Sequence, residues 1–136
     1  MSAFAVCRAR LGCVNELVSG VPLTDTKQLE TNLADLVRRH ATTQPEGVAL
    51  VQPRPLRRTV TWAELDRRID AVAAGLSAHG LVAGHRIALV GPNSIEFVIA
   101  YLATLRAGYV AVPINPESTV TELGSIAASI GGCAAL

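Results

Sequence analysis

A short loop between two apolar stretches stands where phosphate-binding loops occur in α/β proteins. Gly91-Pro92-Asn93-Ser94 follows a strand-like run and opens a helix-like run. At such a position, the N–H groups of a helix N-terminus can bind an anion. This loop has only one glycine, and its proline lacks an N–H. The chain contains neither GxGxxG nor GxxxxGKS or GxxxxGKT, so a helix cap is the favoured interpretation over a phosphate site.

Side chains that could move protons or neutralise phosphate are scattered along the chain. Lys27 is the only lysine, which removes the usual cation for a transferring phosphoryl group. His40 and His79 are expected at helix C-termini, where the helix dipole favours a cation, and His85 precedes a predicted strand. No carboxylate stands at a recognisable spacing from these histidines. Capping or surface roles are therefore favoured over a catalytic triad or a metal site.

Two further residues could contact a ligand. Trp62 begins a predicted helix among apolar neighbours, and a packing role is favoured over a ligand contact. Asn115 follows a predicted strand, at the end where binding sites of α/β proteins gather. Its position between Ile114 and Pro116 nevertheless favours a turn residue.

Composition excludes several classes of function. The 136 residues are 50% hydrophobic and 17% charged, which predicts a globular domain. The formal net charge of +1 gives no electrostatic reason to expect binding to nucleic acid or anionic membranes. No apolar run approaches the roughly 20 residues that span a bilayer. Cys7, Cys13 and Cys133 lack the spacing of a zinc or redox pair, and their odd number disfavours a disulfide framework. Reduced thiols in a cytoplasmic protein are expected.

The elements that would position these residues alternate in type. Hydrophobic spacing and helix stop signals predict them in order. They are a helix at 32–42, a hairpin of strands at 48–52 and 58–61, a helix from 61 to Gly80, a strand at 86–90, a helix ending at Gly108, a strand at 109–112, a helix from 119 to 131 and a strand starting at 133.

The predicted helices carry capping signals and apolar faces. Asn32 is expected to cap the first helix, which would bury Leu33, Leu36 and Val37. The helix after 94 is apolar almost all round, so it is expected to be covered on most sides. Capping boxes are predicted for Thr61 with Glu64, Asn93 with Glu96, and Thr119 with Glu122.

Two charge patterns occur on the helix that follows Thr61. Glu64 stands four residues before Arg68, which predicts a favourable pair. Asp66 and Asp70 have the same spacing and are expected to repel each other weakly.

The order of the elements defines the fold class. The strand, helix and strand within 86–116 predict one right-handed parallel crossover, and the alternation continues after it. The prediction is α/β with a mostly parallel sheet and flanking helices. Residues 1–30 are expected to form a poorly structured lead-in. A strand that has barely started at 133 predicts that 31–136 is a truncated domain.

Two segments together resemble the core motifs of adenylate-forming enzymes. VTWAELDRRIDAVAAGL (60–76) resembles the first motif, and LRAGYVAVPINP (105–116) resembles the second. PNSIEFVIAYLATLRAG (92–108) stands between them as expected. The resemblance covers about residues 32–136 and implies the incomplete front portion of the large N-terminal domain. Pro92-Asn93-Ser94 and Asn115 are more similar to acyl-CoA ligases than to peptide-synthetase adenylation domains.

The resemblance implies a two-step reaction. A fatty acid carboxylate attacks the α-phosphate of ATP to give acyl-adenylate and pyrophosphate, and CoA then displaces AMP. In the family, a phosphate loop, an acidic residue near the ribose and a lysine of the C-terminal domain do this work with Mg²⁺. None of these matches a position of this sequence, so no catalytic, cofactor-binding or metal-binding residue is assigned. ATP, Mg²⁺ and CoA are implied for complete family members only.

Three hypotheses follow. The first is a fragment of an acyl-CoA ligase that is inactive alone, with a peptide-synthetase adenylation fragment as its near alternative. The second is a non-catalytic interaction module that docks through an open sheet edge, for example onto a complementary chain. The third is a small nucleotide-binding domain that uses the loop at 91–94.

Overall fold

The computed structural model describes residues 32–131 and 134–135. The predictions for Lys27, for the three cysteines and for a lead-in at 1–30 lie outside the described residues. The elements, in chain order, are α1 (Leu33–Thr43), β1 (Val48–Gln52), β2 (Arg58–Thr61), α2 (Trp62–Ala78), β3 (Arg86–Val90), α3 (Ile95–Arg106), β4 (Val110–Ile114), α4 (Val120–Ser129) and β5 (Ala134–Ala135).

The strands form two separate sheets. β1 and β2 pair as the predicted antiparallel hairpin. The second sheet is parallel and has the order β4-β3-β5, in which Ile87 lies beside Ala111 on one side and Ala134 on the other. β3 is central and its three middle residues are buried, as expected of an apolar strand covered on both faces. The predicted α/β class with a mostly parallel sheet is confirmed.

The two connections within the parallel sheet run in opposite directions. β3 leads through α3 to β4 on one side, and β4 leads through α4 back to β5 on the other side of β3. Because parallel crossovers are right-handed, these connections place α3 and α4 on opposite faces of the sheet. Ile87 and Leu89 point towards α2 and α3. Arg86 points the other way and donates to the carbonyl of Ile130 at the end of α4 (3.2 Å).

The outer edge of β4 is interrupted by a proline. The N–H of Val110 donates to the carbonyl of His85 (2.8 Å), so every second residue from Val110 onwards bonds to β3. Pro113 falls at an alternate position and directs its missing N–H to the outer edge. Proline at such a place is typical of an edge strand.

Two helix starts follow the predicted capping pattern to different extents. Thr119 and Glu122 form the complete capping box of α4. At α2, the hydroxyl of Thr61 accepts from the N–H of Glu64 (3.3 Å). The Glu64 carboxylate forms the predicted ion pair with Arg68 instead of returning to the helix start, so only half of that box is present.

The predicted cap of α3 was wrong. Ser94, not Asn93, is the N-cap residue, and its hydroxyl accepts from the N–H of Phe97 (3.1 Å). The expected partner of Asn93 is engaged elsewhere, because the carboxylate of Glu96 pairs with Arg58 of β2. The helix therefore begins one residue later than a box on Asn93 requires.

The cap of α1 was predicted correctly, whereas its buried face was not. The side chain of Asn32 accepts from the N–H of Ala34 (3.0 Å). Ala34 and Val37 are buried, whereas Leu33 is 51% exposed and Leu36 is also exposed. The carboxamide of Asn32 also donates to the carbonyl of the α3 residue Leu105. Polar contacts to α3 therefore set the orientation of α1 about its own axis. This orientation differs from the one that the hydrophobic pattern predicts.

The core lies between the helices and on one face of the sheet. One cluster joins α1, α2, α3 and the hairpin: Val37, Val60, Leu65, Ile69, Ala73, Ile95, Ile99, Leu102 and Ala103. A second cluster joins α2 and α3 to the sheet: Leu76, Ile87, Leu89 and Tyr109. Gly108, at φ +77°, ends α3 in the left-handed conformation that was predicted.

No helix within residues 32–131 and 134–135 has the length and apolarity needed to cross a membrane.

Candidate functional site

The carboxyl ends of β3 and β4 form a crevice. Val90 and Ile114 are register partners, so the loop 91–94 and the turn 115–118 start side by side. They lead to α3 and α4 on opposite faces of the sheet. Ligands of open α/β sheets bind at such a point, where neighbouring loops diverge. The structure therefore brings together the loop and the asparagine that the sequence singled out separately.

A cavity of about 260 Å³ opens on the α3 side of this crevice. Its lining is mostly apolar, and the Ser94 and Glu96 side chains are its polar groups. It is lined by Leu89, Val90, Gly91, Pro92, Ser94, Glu96, Phe97 and Ala100.

N–H groups at the start of α3 already donate to oxygen atoms of the protein. The side-chain oxygen of Gln52, on β1, accepts from the N–H of Ile95 (3.2 Å). The hydroxyl of Ser94 accepts from Phe97. Donors used in this way are not available to a phosphate group, and Pro92 contributes none. These contacts favour a helix cap at 91–94 and count against a phosphate-binding loop there.

A salt bridge links the hairpin to the start of α3. A guanidinium nitrogen of Arg58 lies 2.6 Å from a carboxylate oxygen of Glu96. The hydrogen bond from Arg58 lowers the pKa of Glu96 below the ordinary value of 4.5, with smaller effects from a hydrogen bond to its own backbone N–H and from the charges of Arg58 and Arg68. The only carboxylate lining the cavity is therefore held ionised and already paired.

Replacing Arg58 with glutamine is expected to raise the pKa of Glu96 towards 4.5, because the main stabilising hydrogen bond is lost. The folded pKa is the depressed one, so the pair stabilises the fold above pH 4.5 and its contribution disappears as pH falls through the folded value. A carboxyl titration by NMR checks this. Arg57→Gln, the matched control, should leave the titration unchanged. An unshifted Glu96 in Arg58→Gln would contradict the assignment.

Asn115 adopts the turn role that was favoured. Its side-chain oxygen accepts from the N–H of Glu117 (3.0 Å), and its carbonyl accepts from the N–H of Ser118 (3.0 Å). Both interactions are local and shape the turn that leads into α4.

The histidines stand in separate local settings. His40 lies in the last turn of α1, and its ring stacks on Trp62 with 4.6 Å between the ring centroids. His79 ends α2, as predicted, with Nδ1 2.7 Å from the carbonyl of Gly75. His85 precedes β3 and contacts a backbone N–H of its own turn. Within the described part of the chain, no three His, Cys, Asp or Glu side chains form a metal-binding group.

A charge cluster centred on the buried side chain of Arg106, which the sequence did not predict, joins α1, α2 and α3. Arg106, at the end of α3, is 8% exposed at its side chain. Its guanidinium nitrogens donate to the carbonyls of Ala34 (2.7 Å) and Asp66 (3.2 Å) and to the carboxylate of Asp70 (2.9 Å). One of them also lies 2.6 Å from the Asp66 carboxylate. Arg38 of α1 closes the cluster, 2.7 Å from Asp70.

This cluster changes the interpretation of both aspartates. Asp66 and Asp70 were expected to repel each other, but the two guanidinium groups of Arg38 and Arg106 neutralise them. The arginine of the second core motif therefore has a structural partner set in this chain. No local signal could have shown it, because Arg106 lies 36 to 72 residues from its hydrogen-bond partners.

The parallel sheet, the helices on both faces and the divergent loops define an open α/β protein with a crevice at one sheet edge. A profile of the family described as "AMP-binding enzyme" matches residues 37–136. The chain belongs to the AMP-binding enzymes, the adenylate-forming superfamily, and the resemblance found in its two core motifs is confirmed.

Individual relatives agree with this assignment. The chain is 38% identical over 104 residues to the salicyl-AMP ligase / salicyl-S-ArCP synthetase of Mycobacterium tuberculosis, a match covering 75% of this chain and 18% of that protein. It is 41% identical over 92 residues to the mitochondrial medium-chain acyl-CoA ligase ACSF2 of Macaca fascicularis, covering 68% of this chain and 15% of that protein. The chain thus spans less than a fifth of these relatives.

Solved structures show the same fold. The N-terminal domain of FACL13 from Mycobacterium tuberculosis superposes with a TM-score of 0.70 at 32% identity, over 75% of this chain and 26% of that chain. The described elements therefore correspond to part of the N-terminal domain of an adenylate-forming enzyme.

Proposed function

We propose that this chain is the scaffold segment of an adenylate-forming acid–thiol ligase and that it supplies no reacting group. The observation that carries the proposal is the family match over 37–136, because this range contains both core motifs. Segment 60–76 forms the end of β2 and most of α2, and segment 105–116 forms the end of α3 and β4.

The polar residues of these motifs are used within the fold. Thr61 and Glu64 serve the start of α2, Arg106 joins three helices, and Asn115 shapes a turn. Each of these polar side chains already has a hydrogen-bond or ion-pair partner within the protein. These contacts support a role of the motifs in the fold of the segment rather than in a reaction at the crevice.

The reaction proposed for the complete ligase has two balanced steps. A carboxylate oxygen forms a bond to the α-phosphorus of ATP and pyrophosphate leaves. The thiol sulfur then forms a bond to the acyl carbon, its proton is released and AMP leaves. The first step needs the carboxylate and the triphosphate held in line. Cations are needed to neutralise the charge that develops on the phosphate oxygens. With the first N–H groups of α3 bound to Gln52 and Ser94, the residues that hold ATP, Mg²⁺ and CoA are expected in other segments of the ligase.

We infer a carboxylic acid of the fatty-acid type as substrate and CoA as thiol acceptor, in a cytoplasmic enzyme. Pro92-Asn93-Ser94 and Asn115 support this choice through their similarity to acyl-CoA ligases. The name of ACSF2 records medium-chain acyl-CoA ligation by that relative. The name of the salicyl-AMP ligase records an aryl acid, which makes salicylate the natural comparison substrate.

Two measurements test the proposal. The 136-residue chain is expected to give no ATP–pyrophosphate exchange with fatty acids or salicylate, and clear exchange would contradict the absence of a reacting group. A chimera should replace the matching segment of the Mycobacterium tuberculosis fatty acyl-CoA synthetase with residues 37–131. We expect it to retain acyl-CoA formation. A chimera that folds and binds ATP yet forms no acyl-CoA would contradict the scaffold role.

A further inference from the structure

The turn that joins β1 to β2 carries positive charge beside an exposed leucine. Gln52 and Arg58 are the last paired residues of the hairpin, so residues 53–57 extend past the end of its ladder. All of these residues are exposed, and Leu56 is 75% exposed. We call residues 53–57 the hairpin tip.

The two arginines of the hairpin tip keep their charge unpaired. Neither Arg54 nor Arg57 forms an ion pair with the residues that the structure describes. Arg58, the next residue, is neutralised by Glu96, and the tip itself contains no carboxylate. Two positive charges are therefore concentrated on a short turn, a feature that the net charge of +1 for the whole chain conceals.

The hairpin tip is held in place beside the crevice. The rings of Pro53 and Pro55 fix the backbone angle φ on either side of Arg54. The carboxamide of Gln52 donates to the carbonyl of Arg54 (3.1 Å) and accepts from the N–H of Ile95 at the start of α3 (3.2 Å). A turn that is ordered before it binds loses less conformational entropy on binding.

Two positive charges beside an exposed leucine match a surface that has anionic groups above an apolar layer. A lipid bilayer offers both, because phosphate headgroups bind guanidinium groups and the acyl chains below them accept an apolar side chain. An acidic protein segment or a nucleic acid would pair with the arginines through charge alone, which leaves the exposure of Leu56 unexplained. We propose that the hairpin tip docks this chain reversibly on a membrane surface that contains anionic lipids. This inference goes beyond the proposed function and does not depend on it.

The expected strength of binding follows from these side chains. A basic residue close to an anionic surface strengthens binding about fivefold. Moving a leucine side chain out of water strengthens it about tenfold. The chain should therefore bind more weakly than a protein that carries a single acyl chain. Binding should weaken further as salt is added, because ions screen the arginines.

Sedimentation of the 136-residue chain with vesicles tests the proposal. Vesicles of equal parts phosphatidylglycerol and phosphatidylcholine, at millimolar lipid, are expected to carry the chain into the pellet. Vesicles of phosphatidylcholine alone should leave most of it in solution. Replacing Arg54 and Arg57 together with glutamine should lower the partition coefficient about 25-fold. Leu56→Ser should lower it about tenfold.

Matched controls separate the hairpin tip from charge and apolarity elsewhere. Replacing Arg39 and Arg67 together with glutamine removes two exposed arginines of α1 and α2 that form no ion pair with the described residues. Val82→Ser alters another exposed apolar residue (61%), between α2 and β3. Both controls should bind like the unmodified chain. Every variant should keep the same thermal midpoint, since each substituted side chain is exposed.

Three results would overturn the proposal. The first is that the chain stays in solution with the anionic vesicles. The second is that the two double-arginine variants lose binding equally, which would show attraction to the whole chain rather than to the tip. The third is that Leu56→Ser binds the vesicles like the unmodified chain while soluble polyglutamate displaces both. In that case the hairpin tip would recognise an acidic protein segment and not a membrane.

Discussion

Replacing Arg106 with alanine is expected to lower the free energy of unfolding by about 3–5 kcal/mol, which is the usual cost of breaking a buried ion pair by removing one partner. The substitution removes the group that donates to the carbonyl of Ala34, to the carbonyl of Asp66 and to the carboxylate of Asp70. It also leaves the largely buried Asp66 carboxylate without its nearest cation. Since small domains are stable by only about 5–15 kcal/mol, this loss is a large part of the total, and the variant should unfold at a clearly lower urea concentration.

Urea denaturation followed by circular dichroism measures this change. Arg38→Ala is the matched control, because Arg38 contacts the same two aspartates from a half-exposed position. Its loss should cost about 0–1 kcal/mol. Arg106→Lys should lie between the two, since an ammonium group keeps the charge but not the planar fork of donors. A loss below 1 kcal/mol for Arg106→Ala would show that the cluster does not hold the helices together.

Replacing Ile69 with alanine is expected to destabilise the chain by about 2–5 kcal/mol. Ile69 is fully buried in the cluster formed by α1, α2, α3 and the hairpin. Removing most of its side chain loses transfer free energy and leaves a cavity that surrounding helices can fill only in part.

A graded series makes this prediction specific to packing. Ile69→Val removes a single methylene and should cost about 0.5–1.5 kcal/mol. Val82→Ala, at an exposed position between α2 and β3, should stay within about 0.5 kcal/mol of the unmodified chain. Equal losses for Ile69→Val and Ile69→Ala in urea denaturation would contradict a cost set by cavity size.

Local signals were sufficient to predict most elements of this fold. Thr119 and Glu122 are three residues apart and interact within one helical turn, so their capping box is visible in the sequence. The apolar run at 87–90 predicted a covered parallel strand, and the three middle residues of β3 are indeed buried. Gly108 was predictable as the residue that ends α3, because glycine readily adopts the left-handed conformation.

Two features that the sequence pattern did not predict, the buried face of α1 and the cap of α3, depend on the structure around them. The hydrophobic pattern of α1 favoured burial of Leu33, but the bond from Asn32 to Leu105 and that from Arg106 to Ala34 rotate the helix so that Ala34 is buried. Asn93 was an equally good cap on local grounds, yet Ser94 is the residue at the helix start.

The candidate site was predictable only in its parts. The loop at 91–94 and Asn115 each follow a strand, which the sequence indicated. Their adjacency depends on the register of β3 with β4, and register between strands separated by a helix has no local signature. The pairing of Glu96 with Arg58, 38 residues away, was hidden for the same reason.

The stacking of His40 on Trp62 gives this chain an optical reporter. Trp62 is the only tryptophan among the 136 residues, and it stands at the junction of the last turn of α1 and the first turn of α2. Its fluorescence therefore comes from a single place in the molecule. A change in emission that precedes the loss of helical signal would record the departure of α1 from α2, and would distinguish local opening of this junction from global unfolding.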